Sequence, residues 1–135
     1  MADERGIPSS AFDDLIGTEW LSHDPDDARA RVPLRDDLRQ PYGLLHGGVV
    51  STLVESLCSR TTAIAVHPEG SIAMGQAIEV SLIRPVTAGG AEARARALHR
   101  GRTTWVWEVE VRDDDDRLCA LAKMTMAVRP RPDAA

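Results

Sequence analysis

Cysteine is scarce in this 135-residue chain. Cys58 and Cys119 both lie inside apolar runs, so a disulfide framework of the secreted kind is not expected and a reducing compartment is. There is no excess of positive charge either. A net charge of −5 and a pI near 5.3 supply no general basic face for nucleic acid or an anionic membrane, and leave room only for a local basic pocket. The N-terminus, Met1-Ala2-Asp3-Glu4-Arg5, lacks the basic start and apolar core of a secretory signal. The apolar runs fall short of the ~18 residues that a membrane span requires. The chain therefore reads as soluble and cytoplasmic. Internal repeats, zinc-type Cys/His spacing and Gly-rich phosphate loops are all missing, which removes the metal and nucleotide enzymes built on them.

What is present suits one globular domain, with 43% hydrophobic residues and mixed charge. Residues 1–14 hold no sustained period and read as a frayed lead-in or a short capping helix, without a functional role. The domain is expected over 15–129, with 130–135 as a tail. Thr18–His23 and Ala28–Leu34 flank the turn-forming Asp24-Pro25-Asp26-Asp27 and predict a hairpin, with Pro33 at an edge or strand end. Arg35–Leu45 reads as a loop, because Pro41 and Gly43 interrupt regular structure.

From Gly48 to about Ala65 the period is helical. Val50, Leu53, Val54, Leu57, Cys58 and Ile64 share one face, and Ser51, Thr52, Glu55, Ser59 and Thr62 gather on another. Small hydroxyls around a single acid predict a face packed against something. Thereafter the period is two. Strands are predicted over Gln76–Ile83, along the alanine column Ala91, Ala93, Ala95 and Ala97, along Trp105, Trp107, Val109 and Val111, and over Leu118–Val128. Asp113–Asp116 is a solvated turn, since neighbouring carboxylates in a tight turn do not converge on an ion. Two strands, a long helix and four strands predict an α+β fold with one helix covering one face of an antiparallel sheet.

Tyr42-Gly43-Leu44-Leu45-His46-Gly47-Gly48 feeds directly into that helix. A helix start offers unpaired N–H groups and partial positive charge, so an oxyanion could be held there. Glu55 lies eight residues after Gly47, about 12 Å along the helix at 1.5 Å per residue. That is too far to serve the same small group within one chain. If the two act together, two subunits must meet.

The element order, the His46-Gly47-Gly48 helix start, Glu55, the Ile83-Arg84-Pro85 strand end and the Gly101-Arg102-Thr103-Thr104 turn resemble the hotdog-fold acyl-CoA thioesterases of the phenylacetate-degradation and 4-hydroxybenzoyl-CoA type. The likeness covers about residues 15–129. It implies a sheet wrapped around the central helix, sites at the interface of a homodimer, and a homotetramer of two such dimers. Gln40, seven residues before Gly47, and Ser59, four after the acid, match the branch that carries a glutamate. By resemblance, the Gly47 N–H and the Gln40 amide polarise the thioester carbonyl. Glu55 of the partner is nucleophile or general base, and Ser59 holds the water or the carboxylate. His46 has two readings: a ring acting near the thioester, or a residue that shapes the turn. Arg84, Arg102, Thr103 and Thr104 match positions that contact coenzyme A. Trp105 and Trp107 are read as core rather than an acyl platform. No metal or cofactor is implied, and the substrate is an acyl-CoA or aryl-CoA. The rival readings are a non-catalytic acyl-CoA-binding module and an enoyl-thioester hydratase or dehydratase.

Overall fold

The computed structural model describes residues 7–8 and 10–132. Its first element is a short helix, α1 (Ala11–Ile16), started by Ser10, whose hydroxyl accepts from the Asp13 N–H, and stopped by Gly17 at φ 87°. The capping helix anticipated in the lead-in is therefore present, and it crosses the expected boundary at residue 15. The hairpin follows as β1 (Glu19–Asp24) and β2 (Asp27–Pro33). Its turn is held by the Asp24 carboxylate, which accepts from the Asp26 N–H at 2.9 Å. β2 is paired on both sides, so Pro33 marks a strand end and not an edge. The following loop contains a 3₁₀ turn at Asp36–Leu38, one piece of regular structure that the sequence did not announce.

The long helix α2 runs Gly47–Val66. By length and apolarity, Gly47–Glu69 would suit a membrane span, against the expectation from the sequence, yet here it is the central core helix. It packs against every strand of a six-stranded antiparallel sheet. After α2 come β3 (Ser71–Leu82), β4 (Gly90–Arg100), β5 (Thr104–Asp113) and β6 (Leu118–Pro130), in the spatial order β1-β2-β4-β5-β6-β3. One face of that sheet carries the core. Ala28 and Ala30 of β2 stand opposite Ala95 and Ala93 of β4, and all four are sealed from solvent. Side chains this small let the helix approach closely. Across β5 and β6 the core is bulky instead, with Trp107, Val109, Met124 and Met126 filling the wider gap.

Val50, Leu53, Val54, Leu57 and Cys58 are buried as the helical period predicts, whereas Ile64 is half-buried. Thr62 departs from its assigned polar face. It is fully buried, accepts from the Trp107 indole N–H at 2.9 Å and donates to the Cys58 carbonyl at 2.7 Å. A buried indole N–H needs an acceptor, and Thr62 is that acceptor. Trp105 is buried as well, so both tryptophans belong to the core.

β3 also differs from expectation, starting at Ser71 rather than Gln76. A β-bulge between Gly75 and Ala77 shifts its register with β6, and the extra residue breaks the alternation that marks a strand. β3 lies at the edge of the sheet. Ile78 and Leu82, opposite the buried Met124 and Ala120, are nonetheless 40% and 60% exposed. An edge strand with uncovered apolar side chains is a surface suited to pairing.

Candidate functional site

The start of α2 can be accounted for donor by donor. The Val49 and Val50 N–H groups donate to the His46 carbonyl at 2.9 and 3.4 Å, and the Gly48 N–H donates to His46 Nδ1 at 2.8 Å. The Gly47 N–H has no acceptor among the described residues. One of the four orphan donors of this helix end is thus left for something else. His46 is the N-cap, and accepting at Nδ1 places the proton of its neutral ring on Nε2. The two glycines also leave room for neighbouring side chains. A Cβ at Gly47 would come 2.6 Å from Leu82 Cδ1, and one at Gly48 would come 2.9 Å from His46 Nδ1.

Gln40 is fixed from the opposite side. Its Oε1 accepts from the Tyr42 N–H at 2.6 Å and the Leu44 N–H at 3.1 Å. With the carbonyl end committed to two donors, the NH₂ end is the one free to donate. Gln40, Gly47 and Arg84 line one cleft of about 290 Å³, walled by Val50, Leu82 and Cys119. Arg84 is exposed and makes no side-chain hydrogen bond or ion pair among the described residues.

Glu55 and Ser59 line a different cleft, of about 440 Å³. The Glu55 carboxylate is exposed and has no hydrogen bond or ion pair among the described residues. Ser59 sits one turn on and donates to Met126 Sδ at 3.7 Å, a weak bond that leaves its oxygen able to accept. Ile7, Phe12 and Asp13 form part of this wall. The segment before residue 15, expected to play no part, therefore borders the cleft that holds the acid. Thr52 lines it too, while its hydroxyl donates to the Gly48 carbonyl at 2.8 Å.

The structure brings Gln40, Gly47 and Arg84 together and brings Glu55 and Ser59 together, but it does not join the two sets within one chain. The anticipated coenzyme A residues divide as well. Arg102 lies beyond the far end of α2, in a cleft of about 500 Å³ with Arg100, Ser71 and Trp105. The Thr103 carbonyl ties that turn to β6, accepting from the Val128 N–H at 2.9 Å and from Arg129 Nη1 at 2.7 Å. Thr104 accepts through its carbonyl from the Gly101 N–H at 2.9 Å. Burial pushes the Cys58 and Cys119 thiols up from their ordinary range, so neither is primed as a nucleophile. Among the described residues no three His, Cys, Asp or Glu side chains converge as metal ligands do.

Comparison with known proteins fits this geometry. The thioesterase superfamily profile matches residues 42–120. The 1,4-dihydroxy-2-naphthoyl-CoA hydrolase of Listeria monocytogenes is 31% identical over 118 residues, covering 87% of this chain and 95% of the relative. The proofreading thioesterase EntH of Klebsiella pneumoniae is 34% identical over 99 residues, covering 73% of this chain and 72% of its own length. A solved thioesterase structure from Haemophilus influenzae superposes with a TM-score of 0.86 at 29% identity, over 93% of this chain and 87% of that one. With a family match over more than half the chain, and one long helix against a six-stranded antiparallel sheet, this chain belongs to the thioesterase superfamily and has the hotdog fold.

Proposed function

We propose that the protein hydrolyses aryl- or acyl-CoA thioesters in sites shared between two copies of the chain. The observation that carries this reading is the separation of two unfinished half-sites. Gly47 and Gln40 present free donors in one cleft, and Glu55 presents an unpaired carboxylate in another. The Gly47 N–H and the Gln40 NH₂ would receive the thioester oxygen, and their contribution grows as that oxygen becomes an oxyanion. Glu55 of the other copy takes the proton from an attacking water, or adds to the carbonyl carbon itself to give an anhydride that water then opens. In either route the C–S bond breaks, coenzyme A leaves as the thiolate and is protonated, and the acid is released. Ser59 holds the water beside the carboxylate. His46, whose ring caps the helix, shapes the turn.

The exposed edge of β3 supplies the means of pairing. Two β3 strands joined antiparallel would run the Gly75 end of one beside the Leu82 end of the other. Glu55 lies at the first end and Gly47 at the second. Pairing would also cover Ile78 and Leu82, and place Arg84 of one copy and Arg102 of the other where phosphates of a single coenzyme A could reach both. A homotetramer of two such dimers, a cytoplasmic location and a reaction without metal or cofactor complete the proposal. The Listeria relative, named for an aromatic CoA ester, favours an aryl group.

A thiol-release screen across aromatic and aliphatic CoA esters tests this reading. Release with at least one ester, abolished in Glu55→Ala while the oligomer persists, is the expected result. No release from any ester, hydration of an enoyl-CoA without thiol release, or normal turnover by Glu55→Ala would refute it.

A further inference from the structure

No polar group among the described residues holds the Glu55 carboxylate, so its position there comes from shape, and the shape is supplied by Gly75. A Cβ at residue 75 would lie 2.7 Å from Glu55 Oε2 and 2.8 Å from Met124 Cε. The acid thus rests on bare backbone of the edge strand. Backbone conformation does not require glycine there, because Gly75 has no positive φ. The register shift that follows Gly75 in β3 sits beside the carboxylate, a place where a bulge commonly re-aims a functional group.

We infer that Gly75 is a positioning residue for the hydrolytic reaction, a side-chain-free seat that sets where the Glu55 carboxylate stands; this rests on the function proposed above. Both atoms that a methyl group would meet are the far ends of flexible side chains. The fold can therefore absorb the methyl group by moving them, and what moves is the catalytic oxygen. A displacement of about 1 Å in a reacting group can cost on the order of a hundredfold in rate. Substrate binding, made through Gln40, Gly47 and the arginines, would be left alone.

Gly75→Ala tests this. The expected result is a roughly 10- to 100-fold fall in kcat, with KM, melting temperature and oligomeric state close to those of the parent. In addition, Glu55→Asp withdraws the carboxylate from residue 75, so the double variant Gly75→Ala/Glu55→Asp should be no slower than Glu55→Asp alone. Parental kcat in Gly75→Ala, or multiplicative losses in the double variant, would overturn the seat. If Gly75→Ala does not fold, Gly75→Ala/Met124→Leu removes the second clash at nearly constant volume, and the same outcomes apply. Normal activity in Glu55→Ala would instead defeat the functional reading itself, so the two failures can be told apart.

Discussion

The first turn of α2 and its third turn are both polar, and they are held in opposite ways. At the first turn every fixed part is tied: Gln40 Oε1 to two backbone N–H groups, His46 Nδ1 to Gly48, Ser51 and Thr52 back to the carbonyls of Gly47 and Gly48. What remains is two donors with little freedom to move. Around Glu55 no hydrogen bond intervenes among the described residues, and the carboxylate is placed by contact with Gly75. A preorganised donor pair suits a charge that appears only in the transition state. An untethered carboxylate suits a group that must exchange a proton or form a bond. The same helix thus carries a rigid half and an adjustable half.

That contrast can be broken at either end. The largest effect is expected at the acid: Glu55→Gln keeps the shape and removes the base, lowering kcat by about 10²- to 10⁴-fold without changing the melting temperature. Next is the donor side, where Gln40→Ala should cost on the order of 10²-fold or more in kcat. Gln40→Glu should not rescue it, because a carboxylate cannot donate. Arg84→Ala and Arg102→Ala should each raise KM by about tenfold, the scale of one charge-assisted hydrogen bond, with kcat maintained. His46 separates cap from chemistry. His46→Asn retains an N-cap acceptor and should keep activity, whereas His46→Ala should lower stability by ~1 kcal/mol in denaturant unfolding.

The smallest effect should come from outside both halves. The Asp113 carboxyl is held below its ordinary range, first by the Arg117 N–H and then by the Arg117 side chain. A carboxylate with a depressed folded pKa contributes stability that is fully present above its unfolded pKa and fades as pH falls through the folded one. Asp113→Asn should therefore lower the melting temperature slightly at neutral pH and narrow its difference from the parent in acid, with kcat unaffected.

Much of this arrangement was legible in the sequence because it follows local rules. The helical period located α2 to within a residue or two at each end, and the Asp24–Asp27 turn located the hairpin. The alanine column located β4. The eight-residue spacing of Gly47 and Glu55 separated the donor end of α2 from the acid, as the two clefts do in the fold. What stayed hidden depended on contacts between distant segments. Thr62 looked like a polar-face residue because its indole partner lies 45 positions away at Trp107. The first part of β3 was missed because the bulge after Gly75 reverses the alternation. For the same reason the place of Gly75 beside the Glu55 carboxylate gave no signal in the sequence. Phe12 and Asp13 gave no signal, since a six-residue helix is too short to display a face.

The central claim, that each site draws donors from one chain and its acid from another, is tested most directly by mixing two disabled chains. Glu55→Ala retains Gln40 and Gly47, and Gln40→Ala retains Glu55. In a mixed two-fold dimer one site carries both lesions and the other carries neither. Co-expression at equal levels makes about half of the dimers mixed, each with one intact site, so turnover should recover to about a quarter of the parental value. Mixtures no more active than the average of the two variants alone would contradict a shared site.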